Sequence, residues 1–579
     1  MKHKIILTLL ALFITFFAYF SFDGFHFYDD TGYIEKAYFL RHQSLENIIK
    51  NGNEQAHRFG FLLPLAAFQT LFPFHEITHI IWILICTLAG IYIVYHCLSS
   101  YCKNLALYAS LLLGLDYYYL YLCNKVYPDT QTAIFCLISA VIFWKNSHNI
   151  SKKVSSKIAT KTTNFLINSF LFASAIFIAL LCKLTAIFIL PFYFFLFVKS
   201  ILNCSIDFSG AAISLCFWFQ SIGFGLLFLL GYLVVYQYVT GDFLFRFHLV
   251  EANRYADALS YFDKSFDKLF IRLTYEPIFM FLKAGYFVNF WLAIPIIFSV
   301  LFPIAADFSL QKNENKMKFW THLLIFMLAF YWFGSTSLSV YSPIPLDYRM
   351  FVIISPIMAI IAALGLQQSF SNKSYQTIYI VGFFIAALIS KFYLHSPNYL
   401  IYSLLAILFL CMRFAIIIFS LQVSKNMYLI LLVIILAIHP FYTLFQSNSA
   451  NYFSEKYVMN HIIKTISTKQ NKQIIVYTDS RLTESAAFYY EFQMPKNLKF
   501  IVFDTLKEIP KQTTNRTSNV KVFLPNTTAY LLVNRKTINY LQNYTGKKIP
   551  NDIQNFAINY PNYKLLYDKN EVILVDLGH

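Results

Sequence analysis

Charged residues are scarce in this chain. Asp, Glu, Lys and Arg make up 13% of its 579 residues, whereas apolar residues make up 58%. So few charges cannot coat a water-soluble globule of this size, which implies that lipid forms part of the solvent. The apolar residues gather into long runs up to about Phe445, and a membrane-spanning helix needs ~20 such residues. The composition therefore predicts a polytopic α-helical membrane protein.

Two further absences narrow the function. All nine cysteines lie between Cys86 and Cys411 and no CxxC pair occurs, which excludes a disulfide framework and a zinc knuckle. No GxGxxG or DxD signature of a nucleotide-sugar enzyme is present. The formal charge of +17 is not accompanied by a motif of alternating aromatic and basic residues, so we expect no nucleic-acid partner. The excess of lysine is interpreted as a signal of membrane topology.

The texture of the sequence changes after about Gln446. Short apolar runs such as IIVY, KFIVF and EVILVDL alternate with stretches rich in Lys, Asn and Thr, a pattern typical of a small α/β domain. The sequence therefore predicts a membrane domain at 1–446 and a soluble α/β domain at 447–579.

The apolar runs predict about 13 spans. They lie near residues 4–22, 77–98, 104–122, 130–144, 164–182, 184–198, 211–238, 284–304, 318–334, 349–366, 376–394, 398–420 and 426–445. No small-residue cleavage site follows the first run, so it is interpreted as a span and not as a signal peptide. Lys183 is predicted to form a tight turn, because an unbroken helix over 165–198 would reach ~50 Å in a ~30 Å hydrocarbon core.

Lysines orient the chain in the membrane. The loop Lys145–Lys161 has five lysines and no acid, and it falls with Gln311–Lys318 and Lys425 on one predicted side. The positive-inside rule makes that side cytoplasmic. An odd number of spans then places the C-terminal domain outside, so the expected location is the inner (cytoplasmic) membrane with a periplasmic C-terminal domain.

The predicted outer side carries most of the unusual chemistry. Asp29 and Asp30 follow the first span and open an aromatic amphipathic helix, FHFYDDTGYIEKAYFL. One such carboxylate can act as a general base towards a hydroxyl while its neighbour orients it. An Asp N-cap on a surface helix is the alternative interpretation. Asp129 follows Pro128 at the start of another span, and a helix cap is again the alternative.

Four cations or potential cations join these acids. His57 and Arg58 precede a short apolar run, where Arg58 offers a planar fork for phosphate or simply extends to lipid headgroups. Lys183 and Arg349 are nearly embedded in apolar sequence, where a bare cation is costly. Each is expected to meet an anion: a headgroup phosphate, Asp347 or a phosphorylated substrate.

A zinc site is the competing interpretation. The segment HEITH, from His75 to His79, matches HExxH, whose histidines share a helix face and can hold zinc with Glu76 as base. No recognisable third ligand follows. The segment is therefore interpreted as a polar entry to the second span.

The order of these motifs resembles the GT-C superfamily of polyprenyl-phosphate-sugar-dependent glycosyltransferases. The similarity is to the bacterial relatives of protein O-mannosyltransferases and of the lipid A aminoarabinose transferase. It rests on YDDTGYIEKAY, HRFGFLLPLAAFQTLF, VYPDTQTAIF, KLTAIFILP and DYRMFVIISP, which cover most of the chain up to Pro356. The family's usual Asp-Glu is Asp-Asp here, and Arg349 is followed by Met, so the subfamily and the acceptor stay open.

The resemblance implies an inverting transfer of a sugar from a polyprenyl-phosphate donor to a glycan, lipid or protein acceptor. Asp29, Asp30 and Asp129 would be catalytic; Arg349, Lys183 and Arg58 would bind the donor phosphate; His57, Tyr33 and Asp347 would support the acceptor or the site. No cofactor is required on this interpretation, and a divalent metal ion is left open.

Two other classes of membrane protein remain. A transporter or flippase of lipid-linked glycans should show repeated halves and midplane charges, and neither is detected. A glycan polymerase or ligase would be expected to centre its site on a later outer loop, such as Gly241–Lys283.

Overall fold

The chain divides into two compact units. The computed structural model describes residues 2–25, 28–152, 162–203, 208–253, 265–302, 317–337, 339–418, 425–446, 449–469, 472–502, 527–535 and 564–578. The first unit comprises Met1–Tyr19 and Leu40–Phe445, and the second comprises Phe20–Phe39 and Gln446–His579. Residues 20–39 thus group with the C-terminal part, although the sequence assigns them to the membrane domain.

Helices dominate the described residues. In chain order they are α1 (Lys2–Phe20), α2 (Tyr28–His42), α3 (Leu45–Asn51), α4 (Phe59–Leu71), α5 (Glu76–Ser99), α6 (Lys103–Gly114), α7 (Tyr117–Tyr121), α8 (Pro128–Lys152), α9 (Thr162–Cys182), α10 (Leu190–Asn203), α11 (Phe208–Thr240), α12 (Phe245–Asn253), α13 (Phe266–Leu273), α14 (Glu276–Ala284), α15 (Phe287–Leu301), α16 (Lys318–Phe333), α17 (Ser355–Ser369), α18 (Lys373–Phe392), α19 (Tyr399–Ile418), α20 (Lys425–Gln446), α21 (Ser449–Tyr457), α22 (Lys464–Lys469) and α23 (Ser480–Tyr489). Shorter 3₁₀ segments occupy Glu54–His57, Leu122–Asn124, Leu184–Ile189 and Tyr348–Ile354, and a π-helical turn occupies Val458–Ile463.

Many of these helices are long and apolar enough to cross a bilayer. Within the described residues eight helices meet that description, or up to nine if α6 and the following segment, bent by 60°, form one span. Shorter apolar helices include α4, α15 and α16. The chain is a multi-pass membrane protein, while the predicted total of about 13 spans stays a prediction. The predicted lysine-rich loop segments at 153–161 and 311–316 lie outside the described residues.

α17 is the most enclosed of the long helices. The span Tyr348–Ser369 contains it, and 89% of the residues in an 18-residue window of that span are buried. α17 packs on α6 and α15. The contact with α15 is so close that a Cβ at Gly365 would lie 2.0 Å from the carbonyl oxygen of Leu292. A larger residue at this position would therefore separate the two helices. The start of the span, the 3₁₀ segment Tyr348–Ile354 where Arg349 lies, packs on α8.

The second unit contains the predicted α/β architecture. Its five strands are β1 (Gln473–Thr478), β2 (Leu498–Val502), β3 (Thr527–Asn534), β4 (Lys564–Lys569) and β5 (Val572–Gly578). They form one sheet in the order β2-β1-β3-β5-β4, in which β1 pairs in parallel with β2 and β3 and the other pairs are antiparallel. β4 and β5 form a hairpin whose turn residues, Asn570 and Glu571, both have positive φ, as a type I′ turn requires. The predicted fold class, a polytopic helical membrane protein with a C-terminal α/β domain, is confirmed.

Candidate functional site

The first unit contains a buried ion pair between two residues that the sequence singles out separately. Pro128 starts α8, which puts Asp129 in the first helical turn with its side chain 1% exposed. Lys183, predicted to lie at a tight turn, is an extended residue that separates α9 from the 3₁₀ segment Leu184–Ile189. Its Nζ is 2.5 Å from Oδ1 of Asp129. The anion expected for Lys183 is therefore Asp129, a pairing that the sequence did not predict.

Arg349 lies close to this pair. Lys183 Nζ is also 2.8 Å from Sδ of Met350, the neighbour of Arg349. The guanidinium of Arg349 stacks 4.9 Å from the centre of the Tyr127 ring, and its Nε is 3.1 Å from Oδ2 of Asp347. Asp347 was one of the anions expected for Arg349. About a quarter of the Arg349 side chain is exposed, so this cation can meet a ligand.

A second group of residues lies before α4. Arg58 donates to Glu54 over 2.6 Å, and Nδ1 of His57 is 2.8 Å from the hydroxyl of Tyr236 on α11. Burial would raise the pKa of Glu54, but Arg58, and after it Arg246 and Lys183, hold that pKa below its usual value. These electrostatic effects connect the groups around Arg58 and Lys183 into one charged cluster.

His57 is neutral in this setting. Burial, reinforced by the charge of Arg246, lowers the pKa of His57 to about 4. Its Nε2 is buried and has no hydrogen-bond partner within the described part of the chain. The ring therefore presents an unused polar atom beside cations, without adding a charge of its own near pH 7.

Arg246 is a member of the cluster that sequence reasoning missed. It lies in the first turn of α12, only 3% exposed, and its Nη1 is 3.4 Å from the hydroxyl of Tyr232. Its Nε has no hydrogen-bond partner among the described residues. An Arg between phenylalanines in a predicted loop gave no distinguishing signal. A buried guanidinium with an unused N–H donor destabilises the fold unless a ligand or water accepts a hydrogen bond from that donor.

Other buried polar residues hold the loops around the cluster. Arg272, which is fully buried, donates to the carbonyl oxygens of Ile344 and Trp332 and so fixes the segment that leads to Asp347. The hydroxyl of Tyr286 donates to the carbonyl of Tyr348 over 3.0 Å. These bonds to backbone carbonyls hold the segment that contains Arg349.

The acidic pair belongs to the second unit. Asp29 and Asp30 lie in the first turn of α2, as predicted; Asp30 is buried and Asp29 is partly exposed, while Tyr33 is buried one turn later. Gly24 precedes them with a φ of +99°, and a Cβ there would lie 2.2 Å from the ring of Tyr452. The prediction that Asp29 or Asp30 shares a cavity with Asp129 and Arg349 stays a prediction.

The HEITH segment starts α5. His75 is the N-cap, with its ring nitrogen accepting from the backbone NH of Ile77, and His79 is buried against the carbonyl of His75. Among the described residues no group of three or more His, Cys, Asp or Glu is arranged to hold a metal ion. The segment is the polar entry to a span that the sequence predicts.

Comparisons with known proteins identify the fold. No family model and no curated protein matches the sequence. ArnT from Cupriavidus metallidurans bound to undecaprenyl phosphate superposes with a TM-score of 0.51 at 13% identity, covering 99% of this chain and 98% of that one. The apo state of the same protein gives 0.51 at 12% identity, with 100% and 99% covered. An oligosaccharyltransferase from Archaeoglobus fulgidus gives 0.45 at 12% identity, with 92% and 69% covered.

The two ArnT structures extend over both units of the chain from end to end. At this level of identity the likeness concerns the path of the backbone and not the chemistry of individual side chains. The comparison confirms the predicted fold: this chain has the same backbone fold as ArnT.

Proposed function

We propose that this protein is an integral membrane glycosyltransferase that moves a sugar from a polyprenyl-phosphate donor to an acceptor. The observation that carries the proposal is the charged cluster of the first unit. Among the described residues four cations, Arg58, Lys183, Arg246 and Arg349, are grouped with three carboxylates, those of Glu54, Asp129 and Asp347. The net positive charge of the cluster would be neutralised by a bound phosphate group.

The proposed reaction uses these charges on the leaving group. The acceptor oxygen attacks the anomeric carbon, the bond from that carbon to the phosphate oxygen breaks, and the lipid phosphate leaves with the electron pair. Arg349 is partly exposed, and Arg246 has an N–H donor that is unused among the described residues. Hydrogen bonds from these two groups would stabilise the negative charge that develops on the phosphate. Phosphate is a good leaving group, so a strong general acid is less necessary than in glycoside hydrolysis.

The acceptor proton needs a base. We assign the role of this base to Asp29, whose side chain is partly exposed, and we propose that the buried Asp30 orients the Asp29 carboxylate. Attack opposite the departing phosphate inverts the anomeric configuration. The reaction requires no nucleotide cofactor. ArnT is bound to undecaprenyl phosphate in its structure, which supports a donor of that class for the shared fold. The proposed location is the inner membrane, with the C-terminal domain in the periplasm.

The test is transfer from labelled donors. Purified full-length protein in lipid nanodiscs would be incubated with a panel of labelled polyprenyl-phosphate sugars and candidate glycan, lipid and protein acceptors. We expect release of polyprenyl phosphate in step with a glycosylated product of inverted anomeric configuration. Movement of intact donor across the bilayer without bond cleavage would indicate a flippase, and growth of a glycan chain would indicate a polymerase; either result overturns the proposal.

A matched pair of variants tests the base. Asp29→Asn keeps the shape of the side chain but cannot accept the proton, so turnover should fall by ~10² to 10⁴ with donor affinity little changed. Asp267→Asn, at an exposed position on α13, removes the same charge elsewhere and should have no effect. If Asp29→Asn retained full turnover and Asp30→Asn lost it, the roles of the two acids would be exchanged; if both retained it, the assignment would be wrong.

A further inference from the structure

A basic cavity lies apart from the charged cluster in the first unit. Its volume is about 600 Å³. Its walls come from the start of α1, the end of α5, the start of α6 and the later part of α8. The lining residues are Lys2, His3, Lys4, Tyr95, His96, Ser99, Ser100, Lys103 and Lys145. Four helices thus bring basic side chains to one concave surface that the proposed transfer reaction does not use.

The cavity has an excess of positive charge. Its lining contains four lysines and two histidines but no carboxylate. Lys4, Lys103 and Lys145 are exposed, and within the described residues none of the cavity's lysines takes part in an ion pair. Ammonium groups held together repel one another, and a bound anion removes that repulsion. The hydroxyls of Ser99 and Ser100 donate to the carbonyl oxygens of His96 and Cys97, so the lysines carry the attraction for an anion.

The cavity is distinct from the candidate active site. Asp129 lies in the first turn of α8, and Lys145 lies 16 residues later on the same helix (145 − 129). At 1.5 Å rise per residue the two positions are separated by ~24 Å along the helix axis. That separation approaches the ~30 Å thickness of the hydrocarbon core. The cavity therefore belongs to the opposite membrane face, on which the lysine pattern predicts the cytoplasm.

An apolar strip leads away from the cavity along α1. Ile5, Leu9 and Leu12 recur at helical spacing, and each is more than half exposed. The strip begins beside Lys4, so a molecule with its phosphate in the cavity could place acyl chains along it. A water-soluble phosphate would gain nothing from the strip. Basic pockets at the cytoplasmic ends of spans are known to take anionic lipid headgroups.

We propose that this cavity binds the phosphate of an anionic bilayer glycerophospholipid, with the acyl chains of that lipid along Ile5, Leu9 and Leu12. The site would hold a structural lipid at the cytoplasmic face and would be independent of the sugar donor.

The experiment counts lipids retained by the full-length protein. Native mass spectrometry after exchange into phosphatidylglycerol or phosphatidylcholine would report how many molecules stay bound. We expect one phosphatidylglycerol to be held at least about tenfold more tightly than phosphatidylcholine, since each lysine near an anionic surface contributes about 1 kcal/mol, roughly fivefold in affinity. The triple variant Lys4→Gln/Lys103→Gln/Lys145→Gln should lose this preference, and the matching triple change to Arg should keep it.

A second triple variant controls for charge alone. Lys199→Gln/Lys318→Gln/Lys425→Gln removes three exposed lysines from other helix ends and should retain the bound phosphatidylglycerol. Equal loss in both Gln variants, or no loss in the cavity variant, would overturn the proposal. Equally tight binding of glycerol 3-phosphate would show a site for soluble phosphate, and preferential retention of undecaprenyl phosphate would show a second donor site; both contradict a glycerophospholipid site.

Discussion

The two units each contain a buried ion pair, but its surroundings differ. In the second unit Arg481 pairs with Glu455, which also accepts from Asn534. Asn534 and Asn451 exchange hydrogen bonds, and Asn451 donates to the carbonyl of Asn570 in the β4–β5 turn. In that cluster the guanidinium of Arg481 pairs with the Glu455 carboxylate, and the amides bind Glu455 and one another.

The cluster of the first unit is balanced differently. Among the described residues its cations outnumber its carboxylates, and the Arg349 side chain is about a quarter exposed, whereas that of Arg481 is 10% exposed. A network whose members bind one another ties elements of a fold together, whereas a surplus of buried cations favours binding of an anionic ligand. The difference distinguishes an ion pair that stabilises from one that belongs to a binding site.

The largest effect is expected at Lys183. Lys183→Met leaves the Asp129 carboxylate buried without its partner, so the free energy of unfolding should fall by ~3–5 kcal/mol. Turnover should fall by ~10² to 10³, because a positive charge near the leaving phosphate is lost. The double variant Asp129→Asn/Lys183→Met should recover stability, measured by thermal unfolding, but not turnover. Recovery of both would make this pair purely structural.

Arg481 should separate stability from activity. Arg481→Met leaves Glu455 buried and unpaired and should destabilise the second unit by ~3–5 kcal/mol, with Glu455→Gln/Arg481→Met recovering most of that loss. Donor binding by the protein that remains folded should not change. Hydrogen exchange of β1, β3 and α21 in the full chain measures the first effect. Weaker donor binding with unchanged exchange would show that the two clusters do not differ in role.

Arg246 should affect the donor more than the fold. Arg246→Gln removes a charged donor that we expect to contact phosphate, and such a hydrogen bond contributes ~1.5–3 kcal/mol. Donor affinity should therefore fall by about 10- to 100-fold in a binding measurement. Arg413→Gln, which removes an Arg bonded to the backbone of Lys373, is the control and should leave affinity unchanged. A drop in melting temperature without a change in affinity would make Arg246 a structural residue.

The smallest effect concerns Asp479 at the end of β1. Burial raises the pKa of this carboxyl from an ordinary 3.8 to about 6, although Arg481 and the NH of Leu482 oppose that rise. The folded state then binds the proton more tightly than the unfolded state. Stability from this group is full below about pH 4 and is lost as the pH rises through about 6.

Asp479→Asn resembles the protonated acid and can still cap α23. The substitution should weaken the dependence of the unfolding free energy on pH between pH 4 and 6. It should also raise that free energy at pH 7.5 by on the order of 1–3 kcal/mol. Chemical unfolding followed through the second unit measures both. A variant that keeps the wild-type pH dependence would assign the titration to another group.

Local sequence features predicted individual elements well. The break at Lys183, the helix start at Pro128 and the first-turn position of Asp29 and Asp30 follow from nearest neighbours along the chain. Partnerships between distant residues did not follow from the sequence. Asp129 and Lys183 are 54 positions apart, and neither segment has a sequence feature that identifies the other residue as its partner. Arg246 was missed because its contacts are with Tyr232 on α11 and with the segment Glu54–His57, which are distant in sequence.

The sequence by itself determined that this chain spans a membrane and ends in an α/β domain, because the hydrophobic effect acts on composition and periodicity that are visible locally. Tertiary structure decided which unit each loop joins. Residues 20–39 follow the first span in sequence, yet Tyr38 accepts from Gln493, 455 positions away, and Phe25 packs on Phe488. Such contacts depend on shape complementarity between segments that meet only after folding, so no local pattern encodes them.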